Sequence, residues 1–575
     1  MPVSDSPRPG PAKIPDFSLW NRVLYPGFTS GIREIPGMLE SIPQKIRALV
    51  YGEASRSAWI AVVGGTGTGK STVFNALCDH RLSATGFDRP KTRGAIAYVH
   101  KDNPVEQGFP FARIRRERIQ AESPDNLPPA GSPGELLAVE HDRAEYSHLV
   151  LVDTPDLDSH ELKNRRIVDE LALVADVFVF VSSQEKYADQ TPFEFLHKIR
   201  ETGKPVFVLL NKAESVFGVE DARSVLGKEA SAVSRDRLWL LPYLPSETGR
   251  FLSQSPGFRE FARALFRETD TRRTDSLLSR SRSLRRADLR KDLGRLLGLL
   301  EEEKRAAEGW KTALEAFFRS ECEALLRQEE KRFTERSREV LQREIRALYD
   351  KYDLLGKPRR FVARVLGAPF RYFRTPGEEV PKSRAEHLAR IRERFDLEPV
   401  LSSIEHFNRC VLENLSPPDP TAPIHGALRR ETLPLTRAEI EAKARTDQER
   451  LLAWLEETFQ QMSRGLPKSK EWGIYSASIL WGALILALET ALGGGIGLMQ
   501  AVLDSVLAPF VTKGTVELFA YHEVENIARE LNQRYRQALF ASLVEQKNRY
   551  RSVLDGLTTS EKTRAELKSL LSSLD

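Results

Sequence analysis

A chain of 575 residues is too long for one hydrophobic core, so roughly two to four domains are expected. Charged side chains make up 29% and apolar ones 41%, a globular balance that leans toward long solvated helices. With 86 basic and 81 acidic side chains the formal net charge is only +5, which removes any general case for nucleic acid.

Residues 1–16 carry Pro2, Pro7, Pro9 and Pro11 with no apolar stretch, so they read as disordered and not as a signal peptide. Cys78, Cys322 and Cys410 stand far apart without metal-ligand spacing, which fits a reduced, cytoplasmic chain. Residues 17–54 read as a helical lead-in. From 55 to 255, apolar runs of strand type alternate with helical stretches, the pattern of a mostly parallel sheet with helices on both faces. Strands are expected at 60–63, 95–99, 148–152, 177–181, 206–210 and 238–241. The Pro-, Arg- and Glu-rich stretch 102–134 reads as a surface excursion.

The first of these strands runs into Gly64-Gly65-Thr66-Gly67-Thr68-Gly69-Lys70-Ser71, which matches G-x-x-x-x-G-K-[ST] at every fixed position. Glycines permit the tight turn that aims successive N–H groups and a helix N-terminus at phosphates. Lys70 supplies a charge for the β- and γ-phosphates and Ser71 a hydroxyl for Mg²⁺, so Gly64 through Thr72 form the expected nucleotide-binding loop of an α/β P-loop NTPase domain. Arg89-Pro90-Lys91-Thr92-Arg93-Gly94 precedes the second strand. A threonine there can close over the γ-phosphate and complete Mg²⁺ coordination, which makes Thr92 the switch candidate. The third strand ends in Asp153-Thr154-Pro155-Asp156. An aspartate at that strand end faces the P-loop and reaches Mg²⁺ through water.

Asn211-Lys212-Ala213-Glu214 closes the fifth expected strand. Asn211 and Lys212 are expected to brace the base and the P-loop, with Glu214 accepting from the N1 and N2 hydrogens of guanine. Ser246, after the last strand, marks the backbone N–H that would read guanine O6.

Taken in order, Lys70, Thr92, Asp153 and Asn211–Lys212 resemble the translation-factor class of P-loop GTPases. Asn164-Arg165-Arg166 and Gln184-Glu185-Lys186-Tyr187-Ala188-Asp189 bring the likeness nearer to its bacterial dynamin-like and Era-like branch. Over about residues 55–250 the resemblance implies GTP, Mg²⁺ and hydrolysis of the β–γ bond, with Lys70, Thr92 and Asp153 as its catalytic parts. The chain departs from the pattern at three positions. Glu214 stands where the family usually has Asp, Asp156 replaces the switch II glycine, and Leu157 occupies the place of a water-orienting Gln. The resemblance therefore implies slow intrinsic hydrolysis, stimulated by self-assembly.

After residue 255 strand signals vanish and charged helical periodicity takes over, as in Trp310, Leu314, Phe317, Phe318 and Leu325, so residues 256–575 read as an all-α helical bundle or stalk. The basic run 272–291 reads as a solvated helix face. Thr436 is an expected N-cap, and the last long helix carries Leu531, Tyr535, Leu539 and Leu543 on one stripe. Residues 474–488 lack charge, Gly493-Gly494-Gly495 follows, and 496–511 are again mostly apolar. Neither piece reaches the ~20 residues of a membrane span. The segment 474–511 is either a hairpin that dips into a bilayer or the dry centre of a bundle, and the sequence leaves both open. The basic amphipathic stretch 357–374 has the pattern of a lipid-binding surface, but also of a bundle cap or an RNA contact, and the bundle cap is the preferred reading.

The first reading is thus a dynamin-like GTPase in which nucleotide drives homodimerisation through the G domains and moves a helical stalk. It would be cytoplasmic, and would touch the inner face of the membrane if 474–511 is the bilayer hairpin and not bundle core. The second is an Era-like switch bound to a ribosome, an RNA or a protein scaffold. The third is a nucleotide-binding scaffold that barely hydrolyses.

Overall fold

The computed structural model describes residues 17–84, 94–111, 113–118, 132–159, 161–183, 190–213, 237–242, 249–332, 397–465 and 518–574. The chain divides into two compact units. One comprises Met1–Val23, Arg33–Leu300 and Thr559–Asp575, the other Leu24–Ile32 and Glu301–Thr558.

The first unit is built on an eight-stranded sheet. Its strands are β1 (Ala58–Gly64), β2 (Ala95–His100), β3 (Arg113–Arg118), β4 (Glu135–His141), β5 (Leu149–Asp153), β6 (Val177–Ser183), β7 (Val206–Ala213) and β8 (Leu238–Pro242). They lie in the order β3-β4-β2-β5-β1-β6-β7-β8. Every pairing is parallel except β2 with β5. Residues of β1, β2, β5 and β6 are buried throughout, because helices cover both faces and leave no side for polar alternation.

Alternate residues of β1 serve the two faces. Ala58, Ile60 and Val62 pack with Phe74 of helix Lys70–Cys78 and with Phe258 and Phe261 of helix Pro256–Glu268. Ala61 and Val63 pack with Val168 of helix Leu162–Val174 and Leu196 of helix Gln190–Glu201. Trp59 shares that opposite face with Ala48 and Tyr51 of helix Ile35–Ala54. Phe74 and Phe261 are fully buried, each worth roughly 1.5–3 kcal/mol of apolar transfer.

Two strands, β3 and β4, were not expected. The excursion read at 102–134 contributes β3, an edge strand in register with β4 from Arg113↔Glu135 to Arg118↔Glu140. The sequence of β3 is Arg-Ile-Arg-Arg-Glu-Arg, and its charge belongs to a solvated sheet edge. The basic run 272–291 also differs from its reading. Arg282 donates to the Gly52 and Ser55 carbonyls at 2.9 and 3.0 Å, and Arg285 donates to Asp176 at 2.8 Å. Lys204 Nζ donates to the Ala175 carbonyl at 2.6 Å, so two cations close the C-terminus of helix Leu162–Val174. Burial, with Arg285 beside it, holds the Lys204 ammonium well below the usual lysine range.

Helix Thr271–Arg332 is one run of 62 residues. Its residues beyond Leu300 belong to the second unit, with helices Glu398–Asn414, Pro423–Leu428, Arg437–Gly465 and Leu518–Gly556. Thr436 caps its helix as expected, in a reciprocal box: Glu439 N–H donates to the Thr436 hydroxyl at 3.3 Å and Thr436 N–H to the Glu439 carboxylate at 2.7 Å. Leu531, Tyr535, Leu539 and Leu543 are buried, as their stripe implies. Gln546 accepts from Leu435 N–H at 2.7 Å, and Lys443 pairs with Glu545 at 2.9 Å, holding helices Arg437–Gly465 and Leu518–Gly556 together. Among the described residues no helix is long and apolar enough to cross a membrane. The segments 1–16, 184–189, 357–374 and 474–511 lie outside the described residues.

Candidate functional site

The sheet topology gathers the site. β1, β5, β6 and β7 run parallel in the order β5-β1-β6-β7, so their C-terminal ends bring Gly64, Asp153, Ser183 and Asn211 to one edge. The P-loop leaves β1 at Gly64, where φ is +157° and a Cβ would lie 2.1 Å from the Val181 carbonyl oxygen. It enters helix Lys70–Cys78 through Gly69 at φ +94°, a cap residue without a side chain of its own. The first turn of that helix, Lys70 and Ser71, therefore stands at the end of the P-loop, where a helix N-terminus favours an anion. Thr68 Oγ1 donates to the Gly65 carbonyl at 2.9 Å, which tightens the turn. Thr66, Gly67 and Thr72 are half-buried.

The brace expected from Asn211 and Lys212 is present on the P-loop side. Asn211 Nδ2 donates to the Thr68 carbonyl and Lys212 Nζ to the Gly67 carbonyl, both at 2.9 Å. Lys212 holds φ +57°, a left-handed conformation that carries its side chain back over the loop.

A second cluster stands below Lys70. Ser71 Oγ donates to Asp153 Oδ2 at 2.7 Å, and Ser83 Oγ donates to the same oxygen at 2.7 Å. Asp153 is fully buried and its Oδ1 has no hydrogen-bond partner among the described residues. Burial pushes the Asp153 carboxyl above its ordinary range, against the lowering effect of Lys70 and the two serine hydroxyls. A buried carboxylate with an orphan oxygen beside a P-loop serine has the donor chemistry of a hydrated divalent cation site. Ser71 would bind Mg²⁺ through its hydroxyl and Asp153 through water.

After β5 the chain folds back over the P-loop. Thr154 N–H and Oγ1 both donate to the Val62 carbonyl, at 3.2 and 2.9 Å, and Leu157 N–H donates to the Gly64 carbonyl at 3.2 Å. Leu157 is 6% exposed and packs with Val63, Phe180 and Phe195. Its side chain serves the core and offers nothing to a water. Asp156 pairs with Lys70, whose Nζ also donates to the Gly65 carbonyl at 3.0 Å. Asp158 accepts from Thr66.

Gly64 through Ser71, Asp153, Asn211 and Lys212 are therefore together, as read from the sequence. Thr92, Glu214 and Ser246 lie outside the described residues. Ser83 and Asp158 were not expected. Ser83 reaches Asp153 because Asn75 Oδ1 accepts from Leu82 and Ser83 N–H at 3.0 and 2.9 Å, folding the segment after helix Lys70–Cys78 under the site.

Comparison with known proteins covers part of the chain. Residues 60–213 match the model of the Dynamin family. That match favours the dynamin-like side of the expected branch and gives the Era-like side no support. No curated protein matches the chain. Two solved chains come from an oligomerised bacterial dynamin pair described as a mechanism for long-range sensing and tethering of membranes. The first is 12% identical with a TM-score of 0.39, covering 93% of this chain and 91% of its own. The second has the same identity and TM-score, with 92% and 91% covered. A likeness that slight carries nothing about function. The family segment, by contrast, contains the P-loop, Asp153, Asn211 and Lys212, so over residues 60–213 this chain is similar to the Dynamin family at the site itself.

Proposed function

We propose that this protein binds GTP with Mg²⁺ and hydrolyses it as a dynamin-like GTPase. The observation that carries the reading is the convergence of Lys70, Ser71, Asp153 and the Asn211–Lys212 brace on the N-terminus of one helix. Lys70 and the P-loop N–H groups would hold the phosphates, and Ser71 with Asp153 would hold the metal. Thr92, Glu214 and Ser246 complete the proposed site, Thr92 on the γ-phosphate side and Glu214 with Ser246 at the base.

Leu157 is buried where a water-orienting side chain would be needed, which supports slow intrinsic turnover. Dimerisation through the nucleotide-binding units would then supply the missing group and couple hydrolysis to the helical unit. The apolar segment 474–511 gives the reading a membrane-facing part, on its sequence alone.

Calorimetric titration of the full chain with GTP, GDP and ATP, with and without Mg²⁺, tests the first step. Guanine nucleotides are expected to bind in Mg²⁺ and Lys70→Ala to lose at least about tenfold in affinity, the loss of one charge-assisted phosphate contact. Equal affinity for ATP would remove the guanine assignment, and binding unaffected by Lys70→Ala would remove the site.

A further inference from the structure

The P-loop cradle already holds two carboxylates. Asp156 pairs with Lys70 Nζ. Asp158 Oδ1 accepts from the Thr66 backbone N–H at 2.8 Å and from the Thr66 hydroxyl at 2.5 Å. Lys70 is only 4% exposed and Asp156 19%, so the first pair is largely withdrawn from water.

These acids are not isolated surface contacts. Both belong to the loop that follows β5, which is fixed at Thr154 to Val62 and at Leu157 to Gly64. The buried Leu157 side chain separates them, and the residues on either side of it both turn toward the P-loop. A lysine ammonium and P-loop N–H groups are the donors that a nucleoside triphosphate uses. A carboxylate offers them the same charge-assisted acceptor in smaller form. A phosphate arriving beside a seated carboxylate meets like charge at close range.

We propose that Asp156 and Asp158 are an internal competitor for the phosphates: the loop after β5 seats its two carboxylates on the P-loop, and nucleotide binds by evicting them. The inference rests on the nucleotide reading above and adds its regulation. It gives the loop two alternatives, carboxylates in the cradle or phosphates in the cradle, so nucleotide occupancy sets the loop's position. It also lowers apparent nucleotide affinity by the fraction of molecules whose cradle is taken. A glycine at 156 would leave Lys70 without its competing carboxylate.

The experiment compares the full chain with its Asp156→Asn/Asp158→Asn double variant, using a fluorescent non-hydrolysable GTP analogue in Mg²⁺. Melting temperature is measured in parallel without added nucleotide. The double variant is expected to bind about tenfold tighter, and to melt lower by a few degrees because Lys70 and Thr66 lose their anions. Merely removing negative charge near an anion site would also tighten binding, but would leave the melting temperature unchanged or raised. Binding that is unchanged or weaker overturns the proposal, as does tighter binding without a lower melting temperature. If neither protein binds the analogue, this proposal and the nucleotide reading both fail. Binding by the native chain with no gain in the variant removes this proposal alone. Should the double variant not fold, Asp158→Asn alone carries both readouts, with about threefold tighter binding expected.

Discussion

Asn211 and Gly69 share one space: a Cβ on Gly69 would stand 2.2 Å from Asn211 Nδ2, the atom that donates to the Thr68 carbonyl at 2.9 Å. The motif at the end of β7 thus locks the far side of the P-loop, and the loop leaves room for it only as glycine. Gly69→Ala would strain a residue at φ +94° and displace Asn211 together. Nucleotide affinity is expected to fall by at least about tenfold in Gly69→Ala and by about fivefold in Asn211→Ala, the equivalent of the ~1 kcal/mol of a single buried hydrogen bond. Titration of both variants checks this. Native affinity in Asn211→Ala would show that the brace is dispensable.

Asp153 is expected to matter for metal rather than for folding. Its carboxylate is wholly buried and its Oδ1 lacks a partner among the described residues, so a neutral isostere removes an unfavourable buried charge. Asp153→Asn should therefore melt at or above the native temperature without Mg²⁺. In Mg²⁺ it should bind nucleotide at least about tenfold more weakly than the native chain. A variant that is unstable and yet keeps its Mg²⁺ dependence would contradict the assignment.

Glu303 is a structural carboxylate of the second unit. It is 3% exposed and accepts from the N–H groups of Gly27, Phe28 and Thr29 at 2.8, 3.0 and 2.7 Å. Glu303→Ala leaves those donors without their acceptor and is expected to cost about 3 kcal/mol. Glu303→Gln, which keeps one acceptor oxygen, should cost less. Urea unfolding followed by helical ellipticity measures both, and GTP affinity should stay within about twofold of native.

His141 gives the first unit an acid-sensitive point. Burial, with His100 and Arg143 nearby, lowers its imidazole to about 4. Its Nδ1 accepts from Arg143 N–H at 3.2 Å, and the ring stacks on Tyr98 at 3.9 Å between centroids. An unfolded histidine titrates near ~6.5, so the unfolded chain binds more protons between the two values. The stability contributed by neutral His141 is present above about 6.5 and is lost as pH falls toward 4. Urea midpoints measured from pH 4 to 7 should decline with acid in the native chain, and less steeply in His141→Leu. Parallel slopes would show that His141 does not govern the decline.

The P-loop was legible because its chemistry is written in the backbone: glycine at 64 and 69 is demanded by φ and by the atoms that stand where a Cβ would go. Asp153 and Asn211 were legible because each directly follows an unbroken apolar run near the C-terminal end of its strand, and parallel strands deliver those ends to one edge. β3 was not, since Arg113 to Arg118 has one apolar residue and is a strand only because β4 supplies its hydrogen bonds. Ser83 and Asp158 were not either. Each acts through the path of a loop, set by Asn75 in one case and by the burial of Leu157 in the other, and neither path leaves a periodic trace. The arginines at 282 and 285 read as solvated because charge predicts water, whereas here they satisfy carbonyls at a helix end and at its neighbours.

GTPase rate per molecule, measured against protein concentration in Mg²⁺, tests the central claim most directly. A dynamin-like enzyme with Leu157 buried is expected to turn over slowly when dilute, to accelerate severalfold as it self-associates, and to lose activity in Lys70→Ala. A rate that is already fast when dilute and independent of concentration, or one that survives Lys70→Ala, would contradict it.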